Sequence, residues 1–285
     1  LSITPVNDPP LALSDRFELD EDGSLAGNVG VNDSDEEGDP ISFELVSSVA
    51  RGDLLFAPNG SFLYRPAADF AGEDGFTYAA SDGRLKSAPT QVRLVVRPVN
   101  DPPVGSDDLR TISEDATVDL DVLVNDRDTD GDKLVVVDAA APAHGQVTIL
   151  ADGRLRYVPV ADYYGQDSFT YVLADASGVQ AQAEVRLQIQ PVNDAPGIEV
   201  QSFEIQENTS LSRQLVASDP EGDALGFTLA QAPAHGMVTL DFDGHFLFVP
   251  TPHFFGSDSF TFTATDGQAS SSGRAEITVT PVNHP

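Results

Sequence analysis

The chain of 285 residues contains no cysteine, no tryptophan and a single methionine. Without thiols there can be no disulfide staple, no thiolate metal site and no cysteine nucleophile. Without tryptophan the chain has no indole to stack on a sugar ring. Bases are scarce as well: 15 Lys and Arg stand against 46 Asp and Glu, a formal net charge of -31. Such a charge argues against nucleic acid and anionic membrane surfaces as partners and makes cations the natural ones. No apolar run is long enough to cross a bilayer, so direct membrane insertion is not expected, and the first residues lack the basic-then-apolar layout of a secretory leader. No window carries a sustained 3.6-residue apolar stripe, which removes helices from the expected fold.

What is present is repetition. Val6-Asn7-Asp8-Pro9-Pro10 returns as Val99-Asn100-Asp101-Pro102-Pro103, as Val192-Asn193-Asp194-Ala195-Pro196 and as Val282-Asn283-His284-Pro285. The asparagines fall 93, 93 and 90 residues apart, so a whole domain fits inside each interval. The expected division is residues 1–8 as the last strand and joint of a preceding repeat, then repeats at 9–101, 102–194 and 195–285. Leu1-Ser2-Ile3-Thr4-Pro5 copies the alternation of Leu187-Gln188-Ile189-Gln190-Pro191, which suggests a chain cut from something longer.

Within each repeat the apolar positions recur every second residue, as at Val147 and Ile149 before Asp152-Gly153 and at Leu155 and Tyr157 after it. Period two means strands with one buried face. Asn59-Gly60, Asp152-Gly153 and Asp243-Gly244 read as two-residue hairpin turns. Phe76-Thr77-Tyr78, Phe169-Thr170-Tyr171 and Phe260-Thr261-Phe262 repeat the alternation further on. About seven short strands per repeat, with turn signals every 8 to 12 residues or so, give an all-β reading: three tandem immunoglobulin/cadherin-like β-sandwich domains in an elongated array.

Strand order sorts the acids between the two ends of each sandwich. From the joint at Asn100 one strand runs to Glu114 and the next runs back to the loop Asp126–Asp132, so that loop returns to the joint while Glu114 lies beside the following one. For the first joint the gathered oxygen ligands are Glu21, Asn100, Asp101, Asp126, Asp128 and Asp175, with Asp69 or Asp74 as further candidates. For the second they are Glu114, Asn193, Asp194, Asp219, Asp223 and Asp266, with Asp162 as a further candidate. The same rule gives Asn7, Asp8, Asp33, Asp35 and Asp82 at the joint before the first repeat. Calcium takes six to eight oxygens with tolerant geometry and suits such a crowd, whereas magnesium demands stricter order and zinc wants His or Cys.

The V-N-D-x-P joint, the D-x-D-x-D-G-D loop at Asp126–Asp132 and the G-x-D-x-F-x-Y segment at Gly72–Tyr78 make the chain resemble the cadherin-like calcium-binding tandem repeats of large RTX-type bacterial surface adhesins. The resemblance spans all three repeats. It implies Ca²⁺ held between a distal Glu, the joint Asn/Asp pair and the acidic loop of the following repeat, at the positions named above. It also implies a calcium-rigidified extender of a secreted or cell-surface bacterial adhesin whose partners are calcium ions and the neighbouring repeats of its own chain. The third repeat departs from the pattern at Asn208, at His253 and in its shortened loop.

Other readings carry less. The alternative function is that the repeats themselves bind surface glycans or other adhesin chains; an accessory role beside a hydrolase would need a catalytic module elsewhere. Phe62, Tyr64, Tyr157, Phe246 and Phe248 are better read as core than as a sugar platform. His144, His235, His245, His253 and His284 form no metal-binding couplet and are read as surface residues. Arg51-Gly52-Asp53 spells an integrin-recognition tripeptide but fills the slot of His144-Gly145-Gln146 and His235-Gly236-Met237, so coincidence is the better account. Repetition of every acidic feature argues against an enzyme, which concentrates its chemistry at one site.

Overall fold

The computed structural model describes residues 6–282. The strand expected at Leu1–Pro5, and the end of the last joint at Asn283-His284-Pro285, lie outside the described residues. The alternating segments form seven strands in each repeat. The first repeat has β1 (Asp15–Asp20), β2 (Leu25–Asn28), β3 (Ser42–Ser47), β4 (Gly52–Phe56), β5 (Ser61–Pro66), β6 (Gly72–Ser81) and β7 (Thr90–Arg97). The second has β8 (Asp108–Ser113), β9 (Val118–Leu120), β10 (Val135–Ala139), β11 (Gly145–Ile149), β12 (Leu155–Pro159), β13 (Gly165–Ala174) and β14 (Gln180–Gln190). The third has β15 (Gln201–Gln206), β16 (Leu211–Gln214), β17 (Gly226–Gln231), β18 (Gly236–Leu240), β19 (His245–Pro250), β20 (Gly256–Thr265) and β21 (Ser270–Thr280).

Each repeat splits its strands into a sheet of four and a sheet of three: β1-β7-β6-β3 over β2-β5-β4 in the first, β10-β13-β14-β8 over β11-β12-β9 in the second, and β15-β21-β20-β17 over β16-β19-β18 in the third. The inward side chains of the two sheets make the core. In the first repeat Phe62, Tyr64, Phe76, Tyr78, Val92 and Leu94 are buried together; in the third, Phe246, Phe248, Phe260, Phe262, Ala275 and Ile277 fill the same slots. All the aromatics read as core from their spacing are buried.

One pairing decides where the acids go. The first strand of each repeat runs parallel to the last, Asp15–Asp20 against Val92–Arg97 in the first repeat and likewise in the other two. Parallel neighbours finish at the same end, so the residue after the first strand sits beside the exit of the repeat. Glu21 N accordingly donates to Arg97 O, Glu114 N to Gln190 O and Glu207 N to Thr280 O.

The hairpins depart from the expected two-residue turns. Gly60 N donates to Ala57 O and Ala57 N to Ser61 O, and of Asn59-Gly60 only the glycine has positive φ, at 81°. This is a three-residue connection, an ordinary turn closed by a left-handed glycine, and the second and third repeats use the same one.

The chain divides into two compact units whose border runs inside the second repeat. One unit takes the chain through Gly105 together with Asp126–Val135 and Leu173–Ala181, and the other takes Ser106–Asn125, Val136–Val172 and the residues from Gln182 onward. The residues predicted at the first joint all fall in the first unit, and those predicted at the second joint all fall in the second.

Candidate metal centre

The acidic loop is built by its own aspartates. Asp35 Oδ1 accepts from Glu37 N and Asp39 N at 3.1 and 2.9 Å, Asp128 Oδ1 from Asp130 N and Asp132 N at 3.0 and 3.1 Å, and Asp219 Oδ1 from Glu221 N and Asp223 N at 3.1 and 3.0 Å. Gly38, Gly131 and Gly222, each at φ near 80°, supply the left-handed residue that such a turn requires. Two backbone bonds then tie the loop to the residue just past the joint prolines: Leu11 with Ser34, Val104 with Arg127 and Gly197 with Ser218.

The joint asparagine locks the other side. Asn100 Nδ2 donates to Asp175 Oδ2 at 2.7 Å, as Asn7 does to Asp82 at 2.7 Å and Asn193 to Asp266 at 2.9 Å. The backbone of the joint aspartate reaches the loop as well: Asp101 N donates to Asp130 Oδ2 at 2.8 Å and Asp194 N to Glu221 Oε2 at 3.0 Å. Behind it, Glu21 Oε1 takes the Val99 N–H at 2.6 Å, and Glu114 Oε1 takes that of Val192 at 2.5 Å.

These bonds aim carboxylates at one another. At the first joint Glu21, Asp101 and Asp130 bring one oxygen each to within 4.8 Å of the others, and Asp22, Asp69 and Asp101 do the same beside them. At the second joint the groups are Glu114, Asp194 and Glu221, and Asp115, Asp162 and Asp194. Each joint thus carries an inner and an outer triad that share the joint aspartate. Desolvation, then the charges of Asp22, Asp130, Asp69 and Glu21, pushes the Asp101 carboxyl above its ordinary range; desolvation, then Glu221, Asp115, Asp162 and Asp219, does the same to Asp194.

The decisive detail is what these oxygens lack. Asp101 Oδ2 and Asp128 Oδ2 at the first joint, and Glu114 Oε2, Asp194 Oδ2, Asp219 Oδ2 and Glu221 Oε1 at the second, are buried without a hydrogen-bond donor. Buried polar atoms in folded proteins are nearly always paired, and a crowd of unpaired acceptors of one sign asks for a cation. The donor set is all oxygen, which suits a hard divalent ion.

The sequence matches the Bacterial Ig domain family at residues 7–95, 100–188 and 193–280. The chain belongs to that family. Among solved structures, mouse cadherin-23 EC22-24 superposes with a TM-score of 0.64 at 19% identity, covering 97% of this chain and 100% of that one. Human CDH23 EC21-23 gives 0.62 at 15% identity over 94% and 100%. At these identities the likeness is one of fold. A curated relative, Protein GAMETE EXPRESSED 2 of Arabidopsis thaliana, is 37% identical over 84 residues, 29% of this chain and 9% of its own length. The chain therefore spans only a small fraction of the curated relatives it matches.

In these bacterial Ig repeats the predicted site residues fall into three groups. Glu21, Asp69, Asp101, Glu114, Asp162 and Asp194 converge in the triads, with Asp35, Asp128 and Asp219 holding the loops beside them. Asn7, Asn100, Asn193, Asp82, Asp175 and Asp266 form the locks, and Asp8 N meets Glu37 Oε2 at 3.3 Å at the joint preceding the first repeat. The lock pulls the Asp175 carboxyl down, first through Asn100; backbone N–H groups do most of the same for Asp82 and Asp266.

A third group is not brought into the triads. Asp33 turns inward, Oδ1 taking the Leu13 N–H at 2.7 Å and Oδ2 the Tyr78 hydroxyl at 2.9 Å, so it serves the interior of its repeat. Asp126, its counterpart, is buried and joins neither triad. Asp223 is exposed and offers the loop only its backbone. Asp74 is consumed by the N–H groups of Ala50, Arg51 and Gly75 and by the Tyr64 hydroxyl.

Sequence reasoning missed Asp22, Asp115, Asp130 and Glu221. The signal for the first two was the recurring Glu-Asp pair; for the others it was the acid just before the loop glycine, Gly131 or Gly222. The histidines are also not all surface residues: His144 is half-buried, stacked on Tyr163 with ring centroids 3.9 Å apart.

Proposed function

We propose that the chain is a calcium-rigidified extender segment of a bacterial cell-surface or secreted adhesin, with Ca²⁺ clamping successive bacterial Ig repeats at their joints. The observation that carries this reading is the convergence at each joint of carboxylates from two successive repeats and from the joint between them, several of them with a buried oxygen that has no donor. Glu21, Asp22, Asp69, Asp101, Asp128 and Asp130 would hold the ions of the first joint, and Glu114, Asp115, Asp162, Asp194, Asp219 and Glu221 those of the second. An ion there neutralises mutual repulsion and fixes three stretches of chain to one point, which restricts the angle between repeats. The ligands are spread over turns that the sandwiches hold in place, so the affinity expected is that of extracellular modules, about 10⁻⁴ to 10⁻³ M.

Small-angle scattering and a melting curve, each in millimolar calcium and in EDTA, test the proposal. Chelation should broaden the range of conformations and lower the melting temperature; identical profiles in both conditions would rule the clamp out. A glycan array and a self-association assay in calcium should both be silent for an extender.

A further inference from the structure

The outer triads draw two of their three ligands from residues with left-handed backbone. Asp22, Asp69, Asp115 and Asp162 have φ of 59°, 56°, 61° and 57°. Asp69 and Asp162 occupy the third position of turns in which Phe70 N donates to Ala67 O and Tyr163 N to Val160 O. Positive φ at that position is what a type II turn requires, and glycine is the usual occupant. An aspartate held there in one orientation needs outside support.

The support comes from a single residue just before a neighbouring strand, β4, β11 or β18. Ala67 N, the first residue of its turn, donates to Arg51 O, and Phe70, the last, lies under the Arg51 guanidinium, 5.9 Å from its ring centroid. In the second repeat Val160 N donates to His144 O, and Tyr163 stacks on the His144 imidazole at 3.9 Å with rings 5° from parallel. In the third, Thr251 N donates to His235 O and Phe254 stacks on His235 at 4.3 Å. Three repeats use different chemistry, a guanidinium or an imidazole over phenylalanine or tyrosine, for one arrangement. Each of these residues is in turn fixed through its N–H: Arg51 to Asp74, His144 to Asp167 and His235 to Asp258.

We infer that Arg51 and His144 are positioning residues for the outer cation, gripping the turn at both ends so that Asp69 and Asp162 face the joint. The inference rests on the calcium reading above. Partners that orient metal ligands are commonly worth about ten- to a hundred-fold in affinity.

Terbium, a calcium-sized probe excited through tyrosine, tests it in the full chain. Tyr163 and Tyr164 follow Asp162 directly, and the Tyr64 hydroxyl donates to Arg51 O beside the turn of Asp69, so sensitised emission reads both joints and its change in a His144 variant reads the second. His144→Ala should weaken terbium uptake there about ten-fold or more and leave the melting temperature in EDTA within a few degrees of wild type. His144→Arg, which copies Arg51, should restore uptake. Equal terbium affinity in wild type and His144→Ala overturns the inference and leaves the calcium reading intact, whereas a wild-type chain that takes up no terbium defeats the calcium reading itself. If His144→Ala melts early, His144→Phe decides: stability regained with the affinity still lost also overturns the positioning role.

Discussion

At the end that faces the preceding joint, the third repeat differs from the first two in a group of residues whose border separates what holds a sandwich together from what faces that joint. In the first repeat Tyr78 donates to Asp33, while Asp15 lies close to both. The third repeat has lost the Asn-Asp pair before its loop, carries Phe262 in place of Tyr78, and has Gln201 where Asp15 and Asp108 stand. Gln201 closes the same seam with a neutral amide: Nε2 donates to Val216 O at 2.8 Å, and Oε1 takes the Val216 N–H at 3.0 Å. A buried hydroxyl without its acceptor is costly, so the tyrosine and its acceptor disappear together. The turn on Asp219 survives the two-residue loss with its bonds intact. The deletion therefore removes an interior polar network and spares the part that carries the cation ligands.

That division is best attacked from both sides. Asp219→Ala should produce the largest effect: it removes the acceptor that shapes the turn and one donorless oxygen of the second joint, and calcium affinity there should fall about a hundred-fold by calorimetric titration. Preserved affinity would show that the turn does not organise the site. Asp33→Ala should do the opposite. Losing the acceptor of Tyr78 and of Leu13 N costs about 2 kcal/mol, which lowers the melting temperature of the first repeat by about 10 °C, while calcium binding at the joint its own loop faces, the one at Asn7, stays unchanged. If Asp33→Ala weakens binding as much as Asp219→Ala does, the border between interior and joint is misplaced.

The same border explains what could be read without coordinates. Strand number, the buried aromatics and the ends to which Glu21, Glu114 and the acidic loops belong all follow from period-two alternation and from counting strand reversals, both local properties of the chain. Sorting acids within a loop is not local. Asp33 and Asp35 are near-identical in sequence, yet Tyr78, 45 residues further on, captures Asp33, whereas Asp35 Oδ2 is left buried without a donor. Asp22 was hidden for a different reason. Beside Glu21 it looks like a solvated turn acid, and only its left-handed backbone, shared with Asp69, turns both toward Asp101. The hairpins were misjudged because Asn-Gly fits more than one turn, and the choice is fixed by how the flanking strands pair.

The smallest effect concerns the charge that Gln201 avoids. Burial, and after it the Asp33 carboxylate, pushes Asp15 up to about 6, with the Asn32 side chain opposing them. A folded-state value above the unfolded one means that folding takes up a proton. The stability this group contributes is therefore complete below the ordinary aspartate range and is lost as the pH climbs through about 6. In EDTA the first repeat should melt progressively lower between pH 4 and 7 on this account. Asp15→Gln, which imports the third repeat's solution, should flatten that slope. Because the carboxyl is only partly buried the gain at pH 7 should be only about one to two degrees, with none at pH 4. Melting curves of the variant and the parent at the two pH values measure the difference directly. An equal shift at both would mean that the amide acts through packing, and the third repeat's Gln201 would then be a filler of space and not a way of removing a buried charge.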